Sequence, residues 1–360
     1  MFGISLSVII TIGLIFAFIA REALPVILEQ LDQPTTQSVI ATEDLNTTDP
    51  IVLRDYLDLT RSEFEALDQQ TLTLLLEAMQ EQRAATLEDT TESVPSTKWR
   101  YLLFPYQWSG YSRPEFIWQP ASPLPKYNIV PLLIGSLKTT LVALLFAVPV
   151  ALGAAIYVSQ IASPLVREWL KPMIELLAGI PSVVLGFFAL IVMASFFQSL
   201  FGYPSRLNAL IAGIALGFAV IPIVFAIAED ALTSVPSTIT NAALALGSSR
   251  WQAAWSIALP AALPGIFAAV VLGFGRAVGE TMIVLMATGN ASIVSGSLLD
   301  STRTLPATIA AELAEPVFGS EHYRVLFLLG TLLFTITFVA NTIGDVVIQR
   351  LKERLEGQRS

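Results

Sequence analysis

Six apolar runs, at about residues 2–20, 130–158, 173–200, 207–228, 262–289 and 325–348, constrain this chain more than any other feature. A hydrocarbon core about 30 Å thick takes roughly 20 apolar residues per helix, and a helix satisfies every backbone polar group within its own segment. The runs therefore predict an all-α membrane protein with six transmembrane helices. Composition agrees: 14% of residues are charged, against about 25% in an average soluble domain. The first run lacks the basic n-region of a signal peptide and has Phe18 where a cleavage site needs a small residue, so it reads as an uncleaved anchor.

Loop charge sets the orientation. With both termini in the cytoplasm, the inside segments carry Arg167, Lys171, Arg250, Arg350, Lys352, Arg354 and Arg359, and the short outside loops only Arg206, Arg303 and Arg324. That asymmetry follows the positive-inside rule. Four regions result: a first helix at 1–28, an extracytoplasmic insertion of about 100 residues at 29–126, a five-helix core at 127–348, and a cytoplasmic tail at 349–360. The insertion holds 16 of the 29 acidic and 7 of the 20 basic residues, a net charge of −9 that equals that of the whole chain. Such an acidic balance excludes a nucleic-acid partner and disfavours direct capture of an anion by the insertion.

Within the insertion, Ser62 and Glu65 have the spacing of a capping box. Phe64, Leu67, Leu74, Leu75, Ala78 and Met79 follow on one helical face, and residues 86–97 read as a linker. Trp99, Tyr101, Phe104, Tyr106, Trp108, Tyr111, Phe116 and Trp118 then crowd together. They suit an aromatic belt at the headgroup level or a docking surface for a soluble partner.

Two stretches carry the functional signal. The first, 236–260, lies between spans four and five. Pro236–Ser237 offers a helix start, residues 241–246 are strong helix formers, and Gly247 interrupts them before Trp251 and Trp255. A compact helix with apolar knobs fits a groove on a cytoplasmic partner; an interfacial helix lying on the membrane is the alternative. The second stretch, 273–290, places Arg276 and Glu280 near the middle of an apolar run. Each intramembrane charge costs roughly 2.5–3.5 kcal/mol, so such residues face a bundle interior or a solute path. Spaced four apart they can neutralise each other, although Arg before Glu is the weaker order. Alternatively Arg276 meets an oxyanion, which guanidinium binds bidentately.

Several absences narrow the function. There are no cysteines, hence no disulfide, thiolate metal site or thiol nucleophile. No G-x-x-x-x-G-K-[ST] occurs, so the chain binds no ATP through a P-loop. His322, the single histidine, reads as a solvated loop residue, and Glu229–Asp230 as the cytoplasmic end of span four. No catalytic residue and no metal site is expected.

In spacing, residues 241–260 resemble the EAA-x3-G-x9-I-x-L-P coupling loop of ABC importer permeases, through Asn241, Ala242, Ala243, Gly247, Ile257, Leu259 and Pro260, with Asn241 in place of the leading Glu. RAVGETM followed by GN (Arg276 to Met282, Gly289, Asn290), ELLAGIPSVVLGF (Glu175 to Phe187) and REALP (Arg21 to Pro25) resemble phosphate permeases of the Pst system, PstC-type. The resemblance implies the six-helix type I ABC importer (MetI-like) fold in the bacterial inner membrane. It implies a solute path at Arg276, Glu280 and Thr281, with coupling through the 241–260 motif and Trp251. Its partners would be a second, PstA-like permease, two PstB-like ATPases that bind ATP and Mg, a periplasmic or lipid-anchored PstS-like phosphate-binding protein, and membrane lipid. A type I permease for molybdate or sulfate, a secondary transporter that needs no coupling loop, and a membrane sensor are the rival readings.

Overall fold

The computed structural model describes residues 2–30, 71, 74, 97–108, 110–122 and 124–357. The Ser62–Glu65 capping box and the 86–96 linker lie outside these residues, and of the apolar face that follows the box only Leu74 is described, helical and exposed. Two compact units are present: Gln30–Ser96, and Met1–Glu29 together with Thr97–Ser360. The second unit contains the helices discussed below.

In chain order these are α1 (Phe2–Ile27), α2 (Trp99–Leu103), a two-stranded antiparallel hairpin of β1 (Trp118–Gln119) and β2 (Lys126–Tyr127), α3 (Val130–Ile156), α4 (Pro164–Ala178), α5 (Ser182–Phe188), α6 (Ala194–Phe201), α7 (Ala209–Thr233), α8 (Ser237–Ala245), α9 (Arg250–Ala253), α10 (Leu259–Val278), α11 (Met282–Ala287), α12 (Leu305–Glu312) and α13 (Glu321–Gly357). π-helical turns extend α3 to Ile161 and join α5 to α6 and α9 to α10. Five stretches among the described residues are long and apolar enough to cross a membrane: 130–161, 182–201, 209–233, 250–278 and 321–350. α1 packs on α13, with Phe16 stacked on Phe334 at 4.6 Å and Phe18 edge-on to Phe327 at 5.9 Å.

α7 is the centre of the bundle, packed between α3 and α10. Lipid gives no hydrophobic drive for helix association, so close backbone approach must supply the contact. Accordingly α3 presents Ala143, Ala147, Ala151 and Ala155, all fully buried at four-residue spacing. α7 answers with Gly213 and Gly217, where an added Cβ would come within 2.5 Å of Val142 and 2.6 Å of Phe146. A methyl at either position would push the two helices apart.

Three boundaries differ from the sequence reading. The run 173–200 is not one span: α4 ends at Ala178, and the crossing helix starts at Ser182. Pro181 cannot donate to a helix, and it biases Ile180 away from helical geometry. α4 instead is an amphipathic helix with no buried residue, Leu165, Trp169, Met173 and Leu176 opposing Arg167, Glu168, Lys171 and Glu175. Nor does span four end at Glu229. α7 continues to Thr233, and the Glu229 side chain is buried, accepting from Lys171 Nζ at 2.7 Å, Arg167 Nη2 at 2.5 Å and Thr233 Oγ1 at 3.1 Å. That hydrogen bond raises the Lys171 pKa above the ordinary lysine range. The carboxylate is an anchor for α4, not a solvated helix end. The third difference, in span five, shapes the candidate site.

The described residues between 97 and 128 pack with the helices. Trp99 donates its backbone N–H to Glu29 Oε1 and its indole N–H to the Ile27 carbonyl, both at 3.1 Å. Asn128 Nδ2 bonds the carbonyls of Tyr101 and Phe104, both at 2.9 Å. Tyr101, Tyr106 and Trp108 form one ring cluster. Trp108, Trp118 and Tyr127 are buried. These rings therefore belong to a folded cap, and only part of the aromatic run, such as Phe104, stays exposed. His322 is not a solvated loop residue either. It sits in the first turn of α13, 16% exposed, stacked on Tyr127 at 5.8 Å.

Candidate functional site

Arg276 and Glu280 do not sit in mid-helix. α10 stops at Val278, Gly279 caps it, and α11 resumes only at Met282. Glycine weakens the helix at this point. Glu280 then turns its carboxylate onto the backbone of the next residue, with Oε1 accepting from the Thr281 N–H at 3.2 Å. Its Oε2 lies 3.3 Å from Arg276 Nη2, so the pair forms as its four-residue spacing allows, but across a helix end.

The two charges are unequally placed. The Glu280 side chain is 4% exposed and that of Arg276 48%. An unpaired carboxylate at that depth would be costly, and Arg276 compensates it. The arginine is half-exposed, and a guanidinium carries five N–H donors, more than one carboxylate contact uses; such a group is suited to a passing oxyanion. Thr281, next after Glu280 in the chain, lines an open cleft of about 560 Å³, whose other walls are Gly279, Leu333 of α13, and Pro306, Ile309, Ala310, Leu313 and Ala314 on and just beyond α12. Thr281 is the one side chain with a hydroxyl in that lining.

Asn341 of α13 also approaches this helix end: its amide Oδ1 would stand 3.4 Å from a Cβ on Gly275, one residue before Arg276, and in the sequence it shows only as a lone amide in the last apolar run.

The two signature segments, read separately along the chain, meet in space. A Cβ on Gly186 would come 2.8 Å from Met286 Sδ and 3.2 Å from the Met282 carbonyl, so α5 and α11 touch through this glycine. Gly289 and Asn290 have φ of +78° and +58°, a left-handed pair that turns the chain out of α11. There Thr302 donates its backbone N–H to the Thr288 carbonyl at 3.1 Å.

At the opposite end of the bundle, α8 closes with the Gly247 N–H on the Leu244 carbonyl and the Ser248 N–H on the Ala243 carbonyl, with Gly247 at φ +91°. This is the left-handed stop that glycine supplies at low cost. Ser249 and Gln252 form a reciprocal capping box that restarts the chain as α9. Asn241 and Ala242 are exposed and Ala243 is buried. Trp251 and Trp255 are 56% and 47% exposed, stacked edge to face at 5.7 Å. Ile257 falls in the π-helical turn, and Leu259 and Pro260 open α10. Pro260 has no N–H to give the preceding turn, and the widened turn lies immediately before it. The seven motif residues and Trp251 thus occupy one helix–turn–helix. No group of three or more His, Asp or Glu side chains among the described residues could hold a metal ion.

Residues 147–356 match the family described as binding-protein-dependent transport system inner membrane component. The chain is 35% identical to the Probable ABC transporter permease protein YqgH of Bacillus subtilis over 64% of its own length and 76% of that protein's. It is 34% identical to the Phosphate transport system permease protein PstC of Xylella fastidiosa, again over 64% of this chain and 76% of the relative. Among solved structures, a chain of the inward-facing MetNI methionine ABC transporter is similar at 18% identity and a TM-score of 0.46, covering 62% of this chain and 94% of that one.

Proposed function

Because the chain belongs to the family of binding-protein-dependent transport system inner membrane components, we propose that it is the PstC-type permease subunit of an ATP-driven phosphate importer, a multi-pass protein of the bacterial inner membrane. In this reading α1 is the first of six spans, both termini are cytoplasmic, and residues 29–126 lie outside. The likeness to PstC of Xylella fastidiosa supports the solute. The single observation that carries the route is Arg276, half-exposed and tethered to a buried Glu280 at a helix break beside the Thr281 cleft.

Transport then divides among partners. A phosphate-binding protein delivers the anion from outside, and a second permease supplies the other half of the path. Two ATPase subunits hold ATP and Mg; this chain contributes no ATP site. ATP-driven closure of the ATPases moves α8 and α9, and the connection of α9 to α10 carries that displacement towards Arg276. Arg276 offers charge-assisted hydrogen bonds to phosphate, Glu280 fixes the guanidinium, and Thr281 lines the approach. Asn241 replaces a carboxylate in the coupling motif, so contact with the ATPase rests on the shape of Trp251 and its neighbours.

Arg276→Gln is expected to abolish phosphate uptake by vesicles containing the complete transporter, with the subunits still co-purifying. Normal uptake by an assembled Arg276→Gln complex would sink the pathway assignment.

A further inference from the structure

The outer cleft has a wall whose position is set from outside it. α12 turns Pro306, Ile309, Ala310 and Leu313 to the cleft, and its other face, Leu305, Thr308 and Glu312, is buried. Both ends of the helix are pinned by buried polar contacts. At the start, Ser136 Oγ accepts from the Leu305 N–H at 2.9 Å. The preceding Arg303 carbonyl passes so close to α3 that a Cβ on Gly135 would fall 2.0 Å from it.

At the far end the anchor is Glu312. Its carboxylate is 2.7 Å from Arg303 Nη1 and accepts from the Trp118 indole N–H at 3.2 Å to each oxygen, with His322 Nε2 at 3.5 Å. Trp118 and Tyr127, paired across β1 and β2, back this cluster as an edge-to-face pair at 5.8 Å. Trp118 comes from a segment nearly two hundred residues earlier, and no apolar packing could substitute for its N–H without leaving a buried carboxylate short of a donor.

We infer that the paired strands β1 and β2 are a clamp on the pathway: Trp118, acting through Glu312, holds α12 in the position that forms the cleft wall facing Thr281. Trp118 and Glu312 are positioning residues and touch no solute. The inference rests on the reading of the Thr281 cleft, beside the Arg276–Glu280 pair, as the phosphate route.

The test measures amide exchange across 305–313 and phosphate uptake in vesicles containing the complete transporter. Trp118→Phe keeps a ring and removes the N–H; Glu312→Gln keeps an acceptor for Trp118 and removes the charge. Loss of a hydrogen bond to a charged group is expected to speed exchange across α12 by about tenfold. The maximal uptake rate per assembled complex falls with it, while the half-saturating phosphate concentration stays put. A merely structural loss would instead lower the amount of complex and leave the rate per complex unchanged. Unaltered exchange in assembled Trp118→Phe, or exchange as fast in Glu312→Gln as in Trp118→Phe, overturns the clamp, and faster exchange with an unaltered uptake rate overturns its link to transport. The exchange result stands even if Arg276→Gln imports phosphate normally, so the two readings fail separately.

Discussion

Gly289 shows how a residue-level motif divides between chemistry and geometry. It belongs to the same signature as Arg276, yet its surroundings assign it to the backbone: φ is +78°, and an added Cβ would fall 2.4 Å from Ser301 Oγ and 3.0 Å from the Leu207 carbonyl. Gly289→Ala should therefore destabilise the chain by roughly 1–3 kcal/mol from the backbone alone, and by more from the clash. Gly110→Ala is the control, since φ there is +86° with nothing within 4 Å of the new carbon. Thermal inactivation of the two purified variants in detergent should separate them, Gly289→Ala being the less stable. Equal losses would show that packing at Ser301 contributes nothing. Glu229 makes the same point in reverse. Its place at the end of an apolar run suggests a solvated terminus, and only the approach of Arg167 and Lys171 from α4 makes it a buried anchor.

At the scale of elements, the segment 236–260 is the most legible part of the chain. Its start, its glycine stop and its restart are each set by residues within a few positions, so local rules suffice. The Ser249–Gln252 capping box is equally local. The coupling role rests on Trp251 and Trp255, whose exposed pair is the apolar feature a groove would take up. Replacing both by Ala should weaken co-purification of the ATPase by at least about tenfold, as loss of a buried aromatic anchor does, with membrane insertion unaffected. Undiminished ATPase recovery would favour the membrane-lying alternative. The breaks at 179–181 and 279–281 were not legible. Both lie inside runs of continuous apolarity, and a hydropathy window averages across a three-residue interruption. Pro181 and Gly279 marked the places, but proline and glycine are tolerated inside membrane helices.

For the whole molecule, the decisive relation is between Glu29 and Trp99. These residues flank the Gln30–Ser96 unit, and the Trp99 N–H meets Glu29 Oε1 at 3.1 Å. The helical unit thus closes on itself where that unit leaves and re-enters the chain. Replacing residues 30–96 by a short Gly-Ser linker should preserve membrane insertion and the thermal stability of the helical unit, because loop-closure cost changes little with length. A loss of expression or a large drop in melting temperature would show that the helical unit depends on the excised one. The sequence marks this boundary only locally: the acidic run ends at Glu92 and residues 86–97 read as a linker, next to the change of packing at Thr97, but nothing in the residue order states that the stretch after it packs on the helices.

The sequence alone determined that the chain is helical and membrane-spanning, where the coupling segment turns, and which polar residues lie among apolar runs. Those properties depend on run length, charge and local capping, which the order of residues contains directly. Tertiary structure decided what the polar residues do. Arg276 stands half-exposed against a Glu280 buried at a helix end, and Glu312 is tied to Trp118 across nearly two hundred residues. α3 and α7 approach closely only because Gly213 and Gly217 leave room for Val142 and Phe146 of the facing helix. Each of these outcomes depends on which distant surfaces meet, and residue order does not state that.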